Sequence, residues 1–228
     1  MGGNLLPAGK HDFKKEVLEL NEWYKQELSA SRVDIRMNTE ATPGLLKGLS
    51  PDAVILAVGS ISVMPRLKGI DHAKTVSCID ALSGRKEVGQ KVVIVGGGLV
   101  GCEMALEYVR EGKQVTIVEA LPALLAGDVP FGNRQMLLDA FEHYGVEQLV
   151  GHRLSEINDK GAVVQQPDGS LQTLSADTVV MAVGFKPLPS LKGQLADLNV
   201  EVYEIGDGNK VGNIMTAIWQ AYEVAHSI

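Results

Sequence analysis

The stretch KVVIVGGGLVGCEMALEYVREGKQVTIVEA, Lys91 to Ala120, decides the fold. It offers, in order, an apolar strand, a glycine-rich turn, a helix, a second strand and an acid, the parts that a dinucleotide-binding βαβ unit needs. Gly96 permits a tight turn off the first strand, Gly98 lets backbone approach a pyrophosphate, and Gly101 lets the helix lie close on the strands. Gly97, Leu99 and Val100 complete the loop and the helix start, where unpaired N–H groups point at phosphate oxygens. Glu119 follows Gly96 by 23 positions, where a carboxylate accepts hydrogen bonds from an adenosine ribose. A 2′-phosphate there meets like charge, so NAD(H) is favoured over NADP(H).

Outward from that unit, 228 residues suit one large or two modest domains. A formal charge of −7 and a pI near 5.3 give no electrostatic reason to expect nucleic acid or an anionic membrane as partner. Apolar runs such as Val92 to Val95 are far too short to span a membrane, and the N-terminal MGGNLLPAGKHDF lacks the regions of a signal peptide. A cytoplasmic location is therefore expected. Only Cys78 and Cys102 are present, which excludes a disulfide framework, a CxxC redox pair and an iron–sulfur site built from this chain. Cys102 reads as a core residue at a helix start. His11, His72, His143, His152 and His226 show no ligand spacing, and no metal site is expected.

Phe13, Val17, Leu20, Tyr24 and Leu28 mark one face of a helix over 12–29, with Asp12 as its N-cap. RVDIRM, 32–37, alternates like a short strand, TPGLLKGLSP carries turn and short-helix signals, and DAVILAVGS, 52–60, reads as a buried strand ending in a glycine turn. Residues 61–90 read as a connection with one short helix at 78–82. After the βαβ unit come a helix over 133–143, a strand over 148–154, a hairpin turning at Asp168 and Gly169, and a buried strand over 178–183. DAVILAVG at 52–59 and DTVVMAVG at 177–184 agree at five of eight positions, as two similar nucleotide-binding folds in tandem require. The tail VYEIGDG ends a strand at Gly206 and Asp207, and the final helix carries an apolar stripe of Ile214, Ala217, Ile218, Ala221, Val224 and Ala225.

With GGGLVG, the two AVG turns and YEIGDG in this order, the chain resembles the two-dinucleotide-binding-domain flavoprotein reductases. GGNLLPAG at the start, GGGLVGCEMA in the middle and VYEIGDGNKVGNIMTAIWQAYEVA at the end are most similar to the C-terminal half of the extended old yellow enzyme family, the NADH:flavin oxidoreductases akin to 2,4-dienoyl-CoA reductase and trimethylamine dehydrogenase. The resemblance implies an α/β fold of two Rossmann-like three-layer domains: an FAD-type domain at 1–88 and 188–228, and an NAD(H) domain inserted at 89–187. By matching position it assigns Gly59, Gly206 and Asp207 to FAD, with Gly2, Gly3, Asn4 and Leu5 close to the flavin nucleotide. It assigns Gly96, Gly97, Gly98, Leu99, Val100, Gly101, Glu119 and Gly184 to the nicotinamide nucleotide.

In that family a first GxGxxG unit precedes GGNLL, whereas here only Met1 does. The FAD site is therefore expected to be incomplete, with homo-oligomerisation as the route to covering the exposed FAD side. The FMN-bearing TIM barrel and iron–sulfur cluster of the relatives are expected to lie in a missing partner region of a longer enzyme. The leading function is hydride transfer from NADH to FAD, impaired in this piece alone and needing no catalytic side chain. The alternatives are a non-catalytic module holding ADP or NAD, and an assembly piece that binds no nucleotide.

Overall fold

The computed structural model describes residues 1–228. Its helices are α1 (Leu5–Ala8), α2 (Lys15–Ala30), α3 (Pro43–Leu49), α4 (Cys78–Leu82), α5 (Leu99–Arg110), α6 (Phe131–Tyr144) and α7 (Ile214–Ser227). Its strands are β1 (Ala53–Leu56), β2 (Ser60–Ser62), β3 (Thr75–Ser77), β4 (Lys91–Val95), β5 (Gln114–Glu119), β6 (Glu147–Val150), β7 (Arg153–Asn158), β8 (Gly161–Gln165), β9 (Leu171–Ser175), β10 (Thr178–Met181), β11 (Phe185–Pro187) and β12 (Glu201–Glu204).

The fold is mixed α/β, centred on a parallel five-stranded sheet in the order β3-β10-β4-β5-β6. Strand β4 sits in its middle because Val92 to Val95 is β-branched throughout and apolar on both faces. Val92 and Ile94 pack with Cys102, Met104, Leu137 and Phe141 of α5 and α6. Val93 and Val95 pack on the opposite face with Ile157, Ala162, Val164 and Leu174 of the antiparallel sheet β7-β8-β9. Full burial of each of these larger side chains contributes about 1.5–3 kcal/mol of transfer free energy, which makes this three-layer sandwich the stable centre of the chain.

Strand β3 is hydrogen-bonded to β10. The sheet thus reaches back before residue 89, and a unit cut at 89–187 omits one of its strands. The short antiparallel pair β2-β11 joins the segment ahead of that unit to its last residues. Outside it, β1 and β12 pair in parallel over a small cluster of Val54, Leu56 and Leu195. The expected buried strand is covered on one face only, since Ile55 remains 40% exposed. Helix α7 has the expected apolar stripe but no buried residue, and Ile214, Ile218, Trp219 and Tyr222 are all exposed. Ala217 of the stripe lies against the turn at Gly206, while these four larger side chains face solvent.

Three further expectations differ. Residues 32–37 are irregular and exposed, because no strand lies alongside to pair with the alternating RVDIRM segment. The strand expected over 148–154 is broken at Gly151, whose φ of +70° turns the chain out of the parallel sheet into the antiparallel one. Asp12 does not cap α2; it opens a short 3₁₀ turn and pairs with Lys15 at 3.0 Å. By contrast, α4, α6 and the hairpin at Asp168–Gly169 fall where the sequence pattern puts them.

The N-terminal segment is tied to α5 by two side-chain contacts. His11, 2% exposed, contacts Glu107, and Lys14 Nζ lies 2.5 Å from the buried Glu103. A carboxylate buried like Glu103 persists in a core because it is paired, so these contacts fix residues 11–14 against the helix that the glycine loop opens.

Candidate nucleotide-binding site

A cavity of about 680 Å³ opens at the C-terminal edge of the parallel sheet, between the ends of β4, β5 and β10. Its size falls within the roughly 300–1,000 Å³ range of small-molecule sites. It lies at the strand ends because the chain must leave each parallel strand through a loop there, and those loops converge.

Gly96 turns the chain off β4 with φ of +109°, and a β-carbon at that position would sit 2.3 Å from the Ala182 carbonyl oxygen. Gly101 brings α5 onto the strands: its β-carbon would lie 2.0 Å from the Gly96 carbonyl oxygen. Gly98 behaves differently. It stands at the N-terminus of α5, has no side chain with which to cap the helix, and a β-carbon there would enter open space facing the cavity. The first N–H groups of α5 have no partner within the helix, so this end offers donors to an anion.

Glu119 ends β5 and lines the same cavity. One carboxylate oxygen accepts from the Gly97 N–H at 2.6 Å and the other from the Leu121 N–H at 2.7 Å. Each oxygen keeps further acceptor capacity. The carboxylate is thus held at the cavity wall by its own loop, in one orientation. Gly97 is pinned from its other side, because its carbonyl accepts from Leu125 N–H at 2.8 Å and from the Cys102 thiol at 3.4 Å. Leu125 has φ of +54° and is 1% exposed; a left-handed leucine costs about 1–2 kcal/mol, offset here by its burial and its bond to Gly97. Burial raises the Cys102 thiol to about 12, with the Glu119 and Glu103 carboxylates adding to the effect. It stays a neutral thiol beneath the loop.

Of the residues expected around a nicotinamide nucleotide, Gly96, Gly98, Leu99, Val100, Glu119 and Gly184 line the cavity. Gly97 and Gly101 lie behind it, in the loop support and the helix contact respectively. The residues expected around FAD gather elsewhere. Asp207 accepts from Ser60 Oγ at 2.7 Å and from Gly212 N–H at 2.9 Å, and the Asn4 side chain donates to the Ser60 carbonyl at 3.1 Å. Gly208, next to Asp207, abuts Gly59, and Gly206 opens the same short turn. Sequence reasoning missed Ser60, which joins the two segments, and it missed Arg66, His152 and Arg153, which line the cavity at the strand ends. Ser60 follows the first AVG turn directly and could have been found there. The arginines stand in segments read as a connection and a strand, with no pattern to mark them.

Residues 15–215 match the family described as Pyridine nucleotide-disulphide oxidoreductase. Over its whole length the chain is 38% identical to a cinnamate reductase of Clostridium sporogenes and 34% identical to an NADH oxidase of Thermoanaerobacter brockii, spanning 34% and 36% of those proteins. Among solved structures, a 2-naphthoyl-CoA reductase bound to 2-naphthoyl-CoA superposes with a TM-score of 0.89 at 28% identity, over 99% of this chain and 34% of that one. The chain therefore spans about a third of the length of these relatives.

Proposed function

The chain belongs to the pyridine nucleotide-disulphide oxidoreductase family, and on that premise we propose that it is the NADH-binding part of a longer flavoprotein oxidoreductase, passing hydride from NADH towards FAD. The observation that carries this reading is the open cavity bounded on one side by Gly98 and the start of α5 and on the other by the fixed carboxylate of Glu119. Relatives described as an NADH oxidase and a cinnamate reductase support it.

NADH fits the residues present. The adenosine ribose takes the free acceptor sites of Glu119, the pyrophosphate takes the N–H groups of Leu99 and Val100, and Gly184 borders the end away from Glu119. When bound, NADH supplies a hydride donor. The chain's contribution is positional: Gly98 leaves the approach clear, Glu119 selects an unphosphorylated ribose, and Val183 to Phe185 close the opposite wall. The network of Asn4, Ser60 and Asp207 is our proposed contribution of this chain to an FAD site, in a unit formed by the segments on either side of the five-stranded sheet. FAD would meet this chain at that network, and FMN and an iron–sulfur cluster belong to a barrel elsewhere in the full protein.

NADH oxidation by an artificial acceptor, measured with and without added FAD alongside a direct NADH titration, tests the proposal. NADH should bind in both cases and be oxidised only with flavin present. Binding without oxidation in either case would leave a nucleotide-holding module and remove the redox role.

A further inference from the structure

We propose that Arg66 and Arg153 form a second, cationic wall of the nucleotide cavity and grip the diphosphate of the dinucleotide from the face opposite α5. This rests on the reading above and adds to the site two residues that neither the glycine motif nor the acid predicts.

The two faces of the sheet carry different structures. Helix α5 packs on one, and β7-β8-β9 on the other. The connection ahead of the sheet is strapped to this second face: Lys68 bridges Glu156 in parallel, Ile157 N–H donates to the Lys68 carbonyl at 3.0 Å, and Leu67 and Ile70 pack against the same buried cluster as Leu154. Gly69 lies so close to β7 that a β-carbon there would sit 1.8 Å from the Ile157 carbonyl oxygen. Because strap and β7 run in parallel, Arg66 and Arg153 both fall at the cavity end of this layer, and both line the cavity.

Neither arginine is occupied. Lys68 takes Glu156 at 3.0 Å, and no carboxylate pairs with Arg66 or Arg153. The cavity otherwise holds one carboxylate, Glu119, in a chain of net charge −7. A diphosphate with two negative charges entering such a site meets repulsion that helix N–H groups alone offset only in part, whereas two guanidinium groups reverse the local sign. Guanidinium geometry matches phosphate oxygens in a bidentate fashion. The dinucleotide is thus held between backbone donors on one face and side-chain cations on the other.

Calorimetric titration of the full chain with adenosine, ADP, NADH and NADPH, at low and high salt, tests this on Arg66→Ala, Arg153→Ala and the double substitution. Each single change should weaken ADP and NADH by roughly tenfold and flatten the salt dependence, leaving adenosine unchanged. Arg153→Lys should recover part of the loss. Both side chains are exposed and unpaired, so unliganded melting should not move. Unchanged ADP and NADH affinity in the double variant overturns the proposal. So does a loss confined to NADPH, which would place the arginines at a 2′-phosphate. If the unsubstituted chain binds neither NADH nor ADP, the underlying reading fails and this one with it.

Discussion

A Gly96→Ala chain is expected to lose about 4 kcal/mol of stability, the sum of left-handed strain and overpacking at roughly 1–3 kcal/mol each. The φ of +109° is one that an L side chain rarely adopts, and the new methyl would stand 2.3 Å from the Ala182 carbonyl oxygen. That oxygen belongs to the backbone just after β10 and cannot swing aside as a side-chain end would. For a chain of this size the melting temperature should fall by roughly 10 °C. Gly98→Ala is the instructive counterpart. Its φ of −74° suits any residue and its β-carbon meets nothing, so the fold should be unaffected while the methyl intrudes on the approach to α5. Circular-dichroism melts paired with NADH titrations should show Gly96→Ala failing in both and Gly98→Ala failing only in binding. Equal melting of Gly96→Ala and the unsubstituted chain would mean that the loop does not turn as described.

The second large effect is expected at Glu119. Removing its carboxylate in Glu119→Ala deprives the Gly97 and Leu121 N–H groups of their acceptor and removes the proposed ribose contact. Hydrogen bonds to a charged group are worth about 1.5–3 kcal/mol each, so NADH should bind roughly a hundredfold more weakly. NADPH should lose much less, because the repulsion of its 2′-phosphate disappears together with the contact. The ratio of the two dissociation constants therefore separates a selecting acid from a merely structural one. If both nucleotides weaken by the same factor, Glu119 serves only to hold the loop.

How much of this was legible depended on whether a segment's structure is set locally. The glycine loop was, because Gly96 and Gly101 answer to steric demands within the βαβ unit itself. So was the hairpin at Asp168–Gly169, whose turn chemistry is local. RVDIRM was not, since alternation licenses a strand only where a partner lies alongside, and here none does. The break at Gly151 was hidden because the residues before and after it share a strand-like pattern while belonging to different sheets. Strand β3 was missed for its brevity, three residues within a glycine- and proline-punctuated connection. Leu125, the residue that holds Gly97 from below, carries no sequence signal, since a leucine at positive φ is imposed by its surroundings. The cavity arginines are legible only once the strap is seen lying on β7.

We propose that a dinucleotide sits on the loop from Gly96 to Gly101, against Glu119. It is tested most directly by following the backbone amide resonances of the isotope-labelled chain as NADH is added. The largest shifts should fall on Gly98, Leu99 and Val100, with Gly97 and Leu121 following as the Glu119 carboxylate takes on the ribose. Saturable shifts centred elsewhere, with these amides unmoved, would contradict it.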